Sequence, residues 1–247
     1  VTPSCTTVEI YIPHYDVYIG DVTVREPEGP AVFPVTVNPA VIAGDLVRVS
    51  YTTSNGTATA GQDYSARSGT LDFLPGESEK TISVLILDGA APEPTEHFFV
   101  NLTNVWSDFG SVSWDPSATG TILDDDCYDV YLVPDVVTVS ESAGVARFEV
   151  RVEPTPAAGH EVRVNVSTSD GTATHPPDYD EFVQTLVFGA GNGSQWVDIS
   201  INEDNLVESV ENFYVNLSNA TARFLASGAT ICAEISDPSA EGRITDN

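Results

Sequence analysis

Short stretches of alternating apolar and polar residues follow one another along the chain from Val17 onward. One such stretch covers residues 47–52 and another covers residues 97–102. Each places its apolar side chains on a single face of an extended strand. Glycine, proline, asparagine or aspartate bounds each stretch, and none has helical periodicity. The pattern therefore predicts an all-β protein.

The stretches form two copies of one pattern. Residues 22–29, 53–64 and 93–102 recur 115 residues later, so that Glu26 matches Glu141. Near the end the register slips by seven, because Gly120 matches Gly242, which indicates a seven-residue insertion between Thr221 and Ala240 of the second repeat. About seven short strands per repeat are typical of a β-sandwich. We predict two tandem antiparallel seven-stranded sandwiches of immunoglobulin type, at residues 17–126 and 127–247, after a lead-in segment at residues 1–16.

The composition narrows the possible partners. The 247 residues include 37 Asp and Glu against 9 Lys and Arg, a formal charge of -28. Such a chain repels nucleic acid and anionic membrane surfaces. It has no apolar run long enough to insert into a membrane. The absence of methionine, including an initiator, indicates a piece of a longer protein.

The acidic residues fall at strand ends in both repeats. Three consecutive aspartates, Asp124 to Asp126, directly follow a short apolar strand. Each pair of such charges costs roughly 3 to 4 kcal/mol at 4 to 5 Å and an effective dielectric near 20. A solvated turn would also explain one run of this kind, but a solubilising surface has no reason to repeat its acids in register. Oxygen ligands converging from several loops indicate calcium.

The combined motifs resemble a known family. Val-Thr-Val-x-Glu, Asn/Asp-Gly-Thr-Ala, Asp-Tyr, Leu-x-Phe, Glu-x-x-Glu-x-Phe and Gly-x-Ile-x-Asp follow one another as in the Calx-β module of sodium/calcium exchangers, integrin β4 and extracellular adhesion proteins. The resemblance implies a seven-stranded sandwich that binds Ca²⁺. Its implied ligands in the first repeat are Glu26, Asp63, Asp88, Glu93, Glu96, Asp124, Asp125 and Asp126. Those in the second are Glu141, Asp178, Glu203, Asp204, Glu208, Glu211 and Asp246.

Two departures from the family pattern affect these sites. Gly89 stands where the family often has a second aspartate, which removes one carboxylate from the first site. The second repeat ends at Asp246-Asn247, so two of its three terminal carboxylates are missing or lie further along the parent chain.

The three cysteines show no zinc-binding spacing. Their odd number permits one disulfide with one thiol left over, or three thiols. In the sandwich implied by the resemblance, the start of the first strand lies near the approach to the last. Cys127 and Cys232 are therefore the expected pair, with Cys5 left free or pairing elsewhere. N-glycosylation sequons, compatible with a secreted chain, occur at Asn55, Asn101, Asn165, Asn192, Asn216 and Asn219.

The sequence gives little support for a catalytic function. The four histidines are isolated from Ser and Cys partners at triad or metal-ligand spacing, and we expect them on the surface or in loops. Glu208 and Glu211 resemble a glycosidase pair, but they recur in both repeats within a ligand pattern. For Trp106, Trp114 and Trp196, packing in the core or at a sheet edge is favoured over a sugar-stacking platform. We predict that the chain is not an enzyme.

The main hypothesis is a calcium-binding tandem of a larger cell-surface or secreted protein. Calcium at the loop pole and at the domain junction would stiffen the array for adhesion or spacing, with another cell-surface protein or a glycan as a possible partner. One alternative is the calcium-sensing regulatory region of an ion exchanger, which would place the segment in the cytoplasm. Another is a carbohydrate-binding module of an extracellular enzyme.

Overall fold

A computed structural model describes residues 11–246. The predicted lead-in strand around Val8 and Ile10, together with Cys5, lies outside this range. The described chain consists of strands, turns and two short 3₁₀ helices, Glu26–Glu28 and Glu141–Ala143. Within it, no helix is long and apolar enough to cross a membrane.

The chain divides into two compact units. Of the described residues, unit 1 contains 11–89 and 95–123, and unit 2 contains 90–94 and 124–246. The strands of unit 1 are β1 (His14–Ile19), β2 (Val22–Arg25), β3 (Ala31–Asn38), β4 (Val47–Asn55), β5 (Ser68–Phe73), β6 (Glu79–Val84), β7 (Glu96–Ser107), β8 (Ser111–Trp114) and β9 (Ser117–Leu123). Because β1 begins at His14, residues 14–16 belong to this strand and not to the predicted lead-in segment.

Unit 1 is a sandwich of two sheets, ordered β6-β3-β1-β8 and β2-β9-β7-β4-β5. Its nine strands occupy seven positions, because the first and the last each break and change sheets. The first breaks at Gly20 and Asp21, and the last at Asp115 and Pro116, whose missing N–H interrupts the ladder. The first and last strands run parallel, as β1 with β8 and β2 with β9. All other pairs in unit 1 are antiparallel, as predicted.

Unit 2 repeats this arrangement. Its strands are β10 (Tyr128–Val133), β11 (Val136–Ser140), β12 (Val145–Glu153), β13 (His160–Asp170), β14 (Val183–Phe188), β15 (Ser194–Ser200), β16 (Glu211–Phe224), β17 (Thr230–Ile231), β18 (Ala233–Asp237) and β19 (Ser239–Thr245). The sheets are β15-β12-β10-β18 and β11-β19-β16-β13-β14. The extra strand β17 pairs with the end of β16, so the predicted seven-residue insertion forms a short hairpin.

Each unit has its own hydrophobic core, built from the predicted apolar faces. Tyr64 stacks on Phe98 at 4.3 Å between ring centroids in unit 1. Tyr179 stacks on Phe213 at 4.6 Å in unit 2. The glycine of the Gly-x-Ile-x-Asp motif permits this packing, since a Cβ at Gly120 would come within 2.6 Å of the Phe98 ring. The equivalent Cβ at Gly242 would come within 2.3 Å of the Phe213 ring.

Candidate metal centre

Three carboxylates meet at one pole of unit 2. Asp178 lies in the loop that follows the Gly-Thr-Ala turn, Glu208 precedes β16, and Glu211 begins it. They offer oxygen atoms that all lie within 4.8 Å of one another. The turn fixes Asp178, because its Oδ2 accepts a hydrogen bond from the Thr174 amide at 2.6 Å. The three side chains form a compact group of oxygen donors.

Glu141 supplies a buried carboxylate next to this group. It begins a 3₁₀ helix directly after β11 and is only 6% exposed. Its Oε2 atom is buried and finds no hydrogen-bond partner among the described residues. Burial first, and then the negative charges of Asp246, Asp204, Glu208 and Asp178, raise the pKa of the Glu141 carboxyl. A buried carboxylate in this state is strongly stabilised by a bound cation.

The pKa values of two neighbouring carboxyl groups are raised by the same causes. Burial and the charges of Asp204, Asp178 and Asp246 raise the pKa of Glu208. Burial and the charges of Asp178 and Glu208 raise the pKa of Glu211. Mutual repulsion therefore opposes full ionisation, and a divalent cation would relieve it. Hard oxygen donors are the ligands that Ca²⁺ prefers.

The other predicted ligands of unit 2 lie around this group rather than in it. Asp204 Oδ1 accepts a hydrogen bond from the Leu206 amide at 2.6 Å. Asp246 Oδ2 accepts one from the Glu208 amide at 3.2 Å, which ties the last strand to the acidic loop. Glu203 is exposed at the start of that loop.

Unit 1 carries a corresponding pole. Glu26 is only 6% exposed, and its Oε2 accepts a hydrogen bond from the Gly89 amide at 3.0 Å. A carboxylate oxygen of Glu26 lies within 4.8 Å of one of Asp88. A carboxylate oxygen of Asp63 likewise lies within 4.8 Å of one of Glu96. The Asp63 carboxylate accepts a hydrogen bond from the Thr59 amide at 2.6 Å, just as the Asp178 carboxylate accepts one from the Thr174 amide. Gly89 thus donates its amide at the position where a further carboxylate is absent.

The remaining predicted ligands of the first repeat fall within unit 2. Asp124 Oδ2 accepts a hydrogen bond from the Glu93 amide at 3.0 Å. Burial raises the pKa of Asp124; hydrogen bonds from the backbone of Glu93 and Asp126 lower it, and the charges of Asp126 and Asp125 raise it further. The net shift is upward. Asp125 is exposed, and Asp126 is half-buried.

A second type of polar site, missed in the sequence, lies in each sandwich. In unit 1, buried Asp45 accepts hydrogen bonds from the Tyr15 hydroxyl at 3.0 Å, the Ser107 hydroxyl at 2.9 Å, and the amides of Leu46 and Phe109 at 2.8 and 3.2 Å. Burial raises the pKa of Asp45, but these donors lower it more, so the net shift is downward. Sequence alignment of the repeats at the shift of 115 places Asp45 opposite His160.

His160 is buried, and the expectation of a surface or loop position was wrong for this residue. Its Nδ1 lies 2.7 Å from the Tyr128 hydroxyl, and its ring packs edge-on against Phe224 at 5.4 Å. Burial lowers the pKa of His160. The imidazole fills the position that a carboxylate fills in unit 1. The signal was the Gly-x-x-Val context shared by residues 44–47 and 159–162.

His14 also has partners that its sequence position concealed. Its Nδ1 lies 2.8 Å from the Ser111 hydroxyl, and its Nε2 lies 3.3 Å from Asp16. The Ser113 hydroxyl hydrogen-bonds to Asp16. His14 and Ser111 are 97 positions apart, as are Asp16 and Ser113. They meet because β1 and β8 pair in parallel. The cluster is exposed on the strand surface, which fits a structural hydrogen-bond network.

The tryptophans lie at surfaces rather than in the cores. Trp196 is 59% exposed on β15, the end strand of its sheet, with the Arg147 guanidinium 5.7 Å from its ring centre. Arg48 lies 5.4 Å from the ring centre of Trp106. Trp114 is 42% exposed. Trp196 thus packs at a sheet edge, whereas Trp106 lies on β7, the central strand of its sheet, and both make cation–π contacts.

The expected disulfide is confirmed: Cys127 and Cys232 are bonded within unit 2. The Tyr128 amide donates to the Cys232 carbonyl at 3.1 Å, so the bond lies where β10 and β18 begin to pair. It closes a sequence separation of 105 residues.

The fold and poles define a tandem of β-sandwich modules, each with carboxylates gathered at the ends of its strands. The Calx-beta domain model matches residues 16–126 and again residues 124–238. The chain belongs to the Calx-beta domain family.

Two curated relatives are exchangers. Sodium/calcium exchanger 2 of Rattus norvegicus is 34% identical over 185 residues, covering 68% of this chain and 20% of the exchanger. Sodium/calcium exchanger Calx of Drosophila melanogaster is 34% identical over 170 residues, covering 68% of this chain and 18% of the exchanger. The chain thus spans about a fifth of these relatives. A solved structure of calcium binding domain CBD12 of CALX1.1 has 25% identity and a TM-score of 0.46, covering 92% of this chain and 99% of that one.

Proposed function

We propose that the chain is a non-enzymatic calcium-binding tandem that serves as the calcium-sensing regulatory region of a sodium/calcium exchanger. Membership of the Calx-beta family and similarity to exchangers support this reading over adhesion. On this proposal the segment lies on the cytoplasmic side of its transporter. The observation that carries calcium binding is the group Asp178, Glu208 and Glu211 beside the buried Glu141 oxygen.

In unit 2, Asp178, Glu208 and Glu211 would hold the ion and Glu141 would neutralise part of its charge. In unit 1, Glu26, Asp63, Asp88 and Glu96 would do the same. Bound Ca²⁺ supplies positive charge that cancels the repulsion among these carboxylates. An ion that binds only the folded state stabilises that state by mass action. Ca²⁺ would therefore order the acidic loops that hold it, and this ordering would be the signal passed to a transporter.

The test is calorimetric titration of chelated protein with Ca²⁺, with thermal unfolding measured in parallel. Saturation at 100 times the dissociation constant should add about 2.7 kcal/mol of stability. Asp178→Asn with Glu211→Gln should remove the heat that belongs to unit 2. Glu234→Gln, an exposed change outside the acidic pole, is the matched control. Equal melting temperatures in calcium and chelator, with no heat of binding, would refute the proposal.

The disulfide favours a second candidate, because structural disulfides are rare in the cytosol. On this reading the tandem is extracellular or at the cell surface. Calcium bound at the poles stiffens it as a spacer or adhesive stalk, with a cell-surface protein or glycan as partner. Trapping thiols by alkylation in intact cells separates the candidates. Reduced Cys127 and Cys232 favour the regulatory region, and an intact disulfide favours the stalk.

A further inference from the structure

Strand β14 forms an open edge of one sheet in unit 2, since it is the last strand in the order β11-β19-β16-β13-β14. The Phe182 carbonyl accepts a hydrogen bond from the Thr168 amide of β13 at 2.9 Å, so the even-numbered residues here turn their backbone groups towards β13. The backbone groups of Val183, Thr185 and Val187 therefore point to the other side, where the described chain has no further strand of this sheet. They are available to an additional strand.

The side chains of this edge are uncharged. The six residues of β14 include no Asp, Glu, Lys or Arg. Val183 and Val187 are 72% and 40% exposed, whereas Leu186 and Phe188 are buried in the core. The Val187 carbonyl accepts a hydrogen bond from the Gln195 side chain at 2.7 Å, and its second lone pair can accept another. This edge thus lacks the charges with which sheet proteins usually prevent pairing between edges.

The matching edge of unit 1 is protected by charge. Strand β5 ends that sheet, and Asp72 stands where unit 2 has Val187. Arg48 on the neighbouring strand holds Asp72 through two hydrogen bonds, at 2.5 and 2.7 Å. Lys80 stands where unit 2 has Gln195. The two units therefore differ in charge at the positions that decide whether an edge accepts a further strand.

Unit 2 keeps the arginine but pairs it elsewhere. Arg163 is the cross-strand neighbour of Val187 on β13. It forms an ion pair with Glu161 of its own strand at 2.7 Å, and Arg223 binds the same carboxylate at 2.8 Å. The positive charge next to the edge is thus compensated without any contribution from β14.

The order of residues along the edge selects its partner. Val183, Thr185 and Val187 read the same in both directions. An antiparallel copy centred on Thr185 would place Thr185 opposite itself and each Val183 opposite a Val187. All three pairs could then exchange backbone hydrogen bonds, and the exposed valines would pack across the strands. We infer that β14 pairs with β14 of a second copy of this chain, an arrangement with two-fold symmetry that joins two sheets into one.

The charge of the chain sets the conditions for this pairing. Two copies that each carry a formal charge of -28 repel each other, and the screening length falls from about 8 Å at 0.15 M salt to about 3 Å at 1 M. The dimer should therefore strengthen as salt rises, whereas a complex held by ion pairs would weaken. One strand pair buries less than the roughly 1,600 Å² of a standard interface, so we expect a dissociation constant of roughly 10 to 1,000 µM. This inference does not depend on the proposed function.

Sedimentation equilibrium of the full chain in chelator, at low and high salt, measures the association. The wild type should dimerise, and more strongly at high salt. Val187→Asp places beside Arg163 the charge that unit 1 has beside Arg48, and it should weaken association about tenfold or more. Val136→Asp is the matched control, because Val136 is 41% exposed on β11, at the opposite end of the same sheet. It should dimerise as the wild type does.

Disulfide formation tests the register in a Cys5→Ser background. Thr185→Cys would bring its thiol opposite that of the second copy, with Cα atoms about 5.5 Å apart, which a disulfide can span. Val183→Cys would leave the two thiols roughly 13 Å apart along the strands, which is too far. Mild oxidation should therefore give covalent dimers of Thr185→Cys and leave Val183→Cys monomeric.

Four outcomes would overturn the inference. A wild type that stays monomeric at millimolar protein and high salt would exclude self-association. A dimer that persists in Val187→Asp, or that weakens equally in Val136→Asp, would place the interface elsewhere. Equal oxidation of Val183→Cys and Thr185→Cys would refute the register. A monomer that binds a fluorescent Val-Gln-Thr-Leu-Val-Phe peptide, with binding lost in Val187→Asp, would assign the edge to an extended segment of a different protein.

Discussion

The two sandwiches share one frame but fill the same buried polar position with opposite chemistry. In unit 1 a carboxylate, Asp45, receives four different donors. In unit 2 an imidazole, His160, contacts a single tyrosine hydroxyl and an aromatic ring. Unit 2 adds a disulfide and an inserted hairpin near the same residues. The shared frame therefore tolerates exchange of this polar group when the neighbouring structure changes with it.

The largest expected effect is loss of the Asp45 carboxylate. Asp45→Ala leaves the hydroxyls of Tyr15 and Ser107 and the amides of Leu46 and Phe109 without their acceptor. We expect unit 1 to lose roughly 3 to 5 kcal/mol of unfolding free energy, as when one partner of a buried charged network is removed. Urea unfolding followed by Trp106 and Trp114 fluorescence, in a Trp196→Phe background, measures this.

Asp45→Asn is the matched control for that prediction. It keeps one acceptor oxygen and nearly the same volume, so it should cost clearly less than the alanine variant. Equal losses would show that the negative charge, not the acceptor geometry, holds the network. No loss in either variant would contradict the role of Asp45.

Reduction of the disulfide should come next, and it should affect only unit 2. A crosslink that closes about 100 residues restricts the unfolded chain strongly, and native disulfides of this kind contribute about 2 to 4 kcal/mol. We expect a dithiol reductant, or Cys127→Ser with Cys232→Ser, to lower the unfolding midpoint of unit 2. Trp196 fluorescence in a Trp106→Phe, Trp114→Phe background reports it. A matching shift in unit 1 would mean that the reductant acts elsewhere.

The sequence predicted the frame because burial imposes a period of two on each strand. It could not predict which acids form the tight group, because loop conformation decides that: Glu208 and Glu211 meet Asp178, whereas Glu203 stays outside. Asp45 and His160 were missed since each is a polar residue directly after a glycine, a context typical of a loop. The contact between His14 and Ser111 depends on a parallel strand pair that alternation cannot reveal.

A smaller change in melting temperature should show whether Glu141 acts at the acidic pole through its charge or through its packing. Glu141→Gln removes a buried charge whose pKa is raised by burial and by surrounding acids. Without calcium, unit 2 of this variant should melt a few degrees higher than the wild type, because repulsion is relieved. With calcium, its gain in melting temperature should be smaller than that of the wild type. Glu234→Gln should change neither value, and a lower melting point in chelator would contradict the role assigned to Glu141.

The smallest expected effect is a difference in acid sensitivity between the units. Burial lowers the pKa of His160 below its usual value of about 6.5, so the unfolded chain binds more protons there. The corresponding stability is present above about pH 6.5 and is lost as the pH falls, by at most about 1.4 kcal/mol per pH unit. The lowered pKa of Asp45 acts in a different window, since its contribution is lost only as the pH falls below about 3.9.

The control for this effect is His160→Gln, which keeps a polar partner for the Tyr128 hydroxyl but does not titrate. The raised pKa values of Glu141, Glu208 and Glu211 favour the folded state as the pH falls, and they do so equally in both proteins. The difference in unfolding free energy between wild type and variant therefore isolates the imidazole. Between pH 7 and pH 5, unit 2 of the wild type should lose stability relative to the variant, whereas unit 1 should not differ between them. Parallel pH profiles for unit 2 would show that His160 takes up its proton in the folded state as readily as in the unfolded chain.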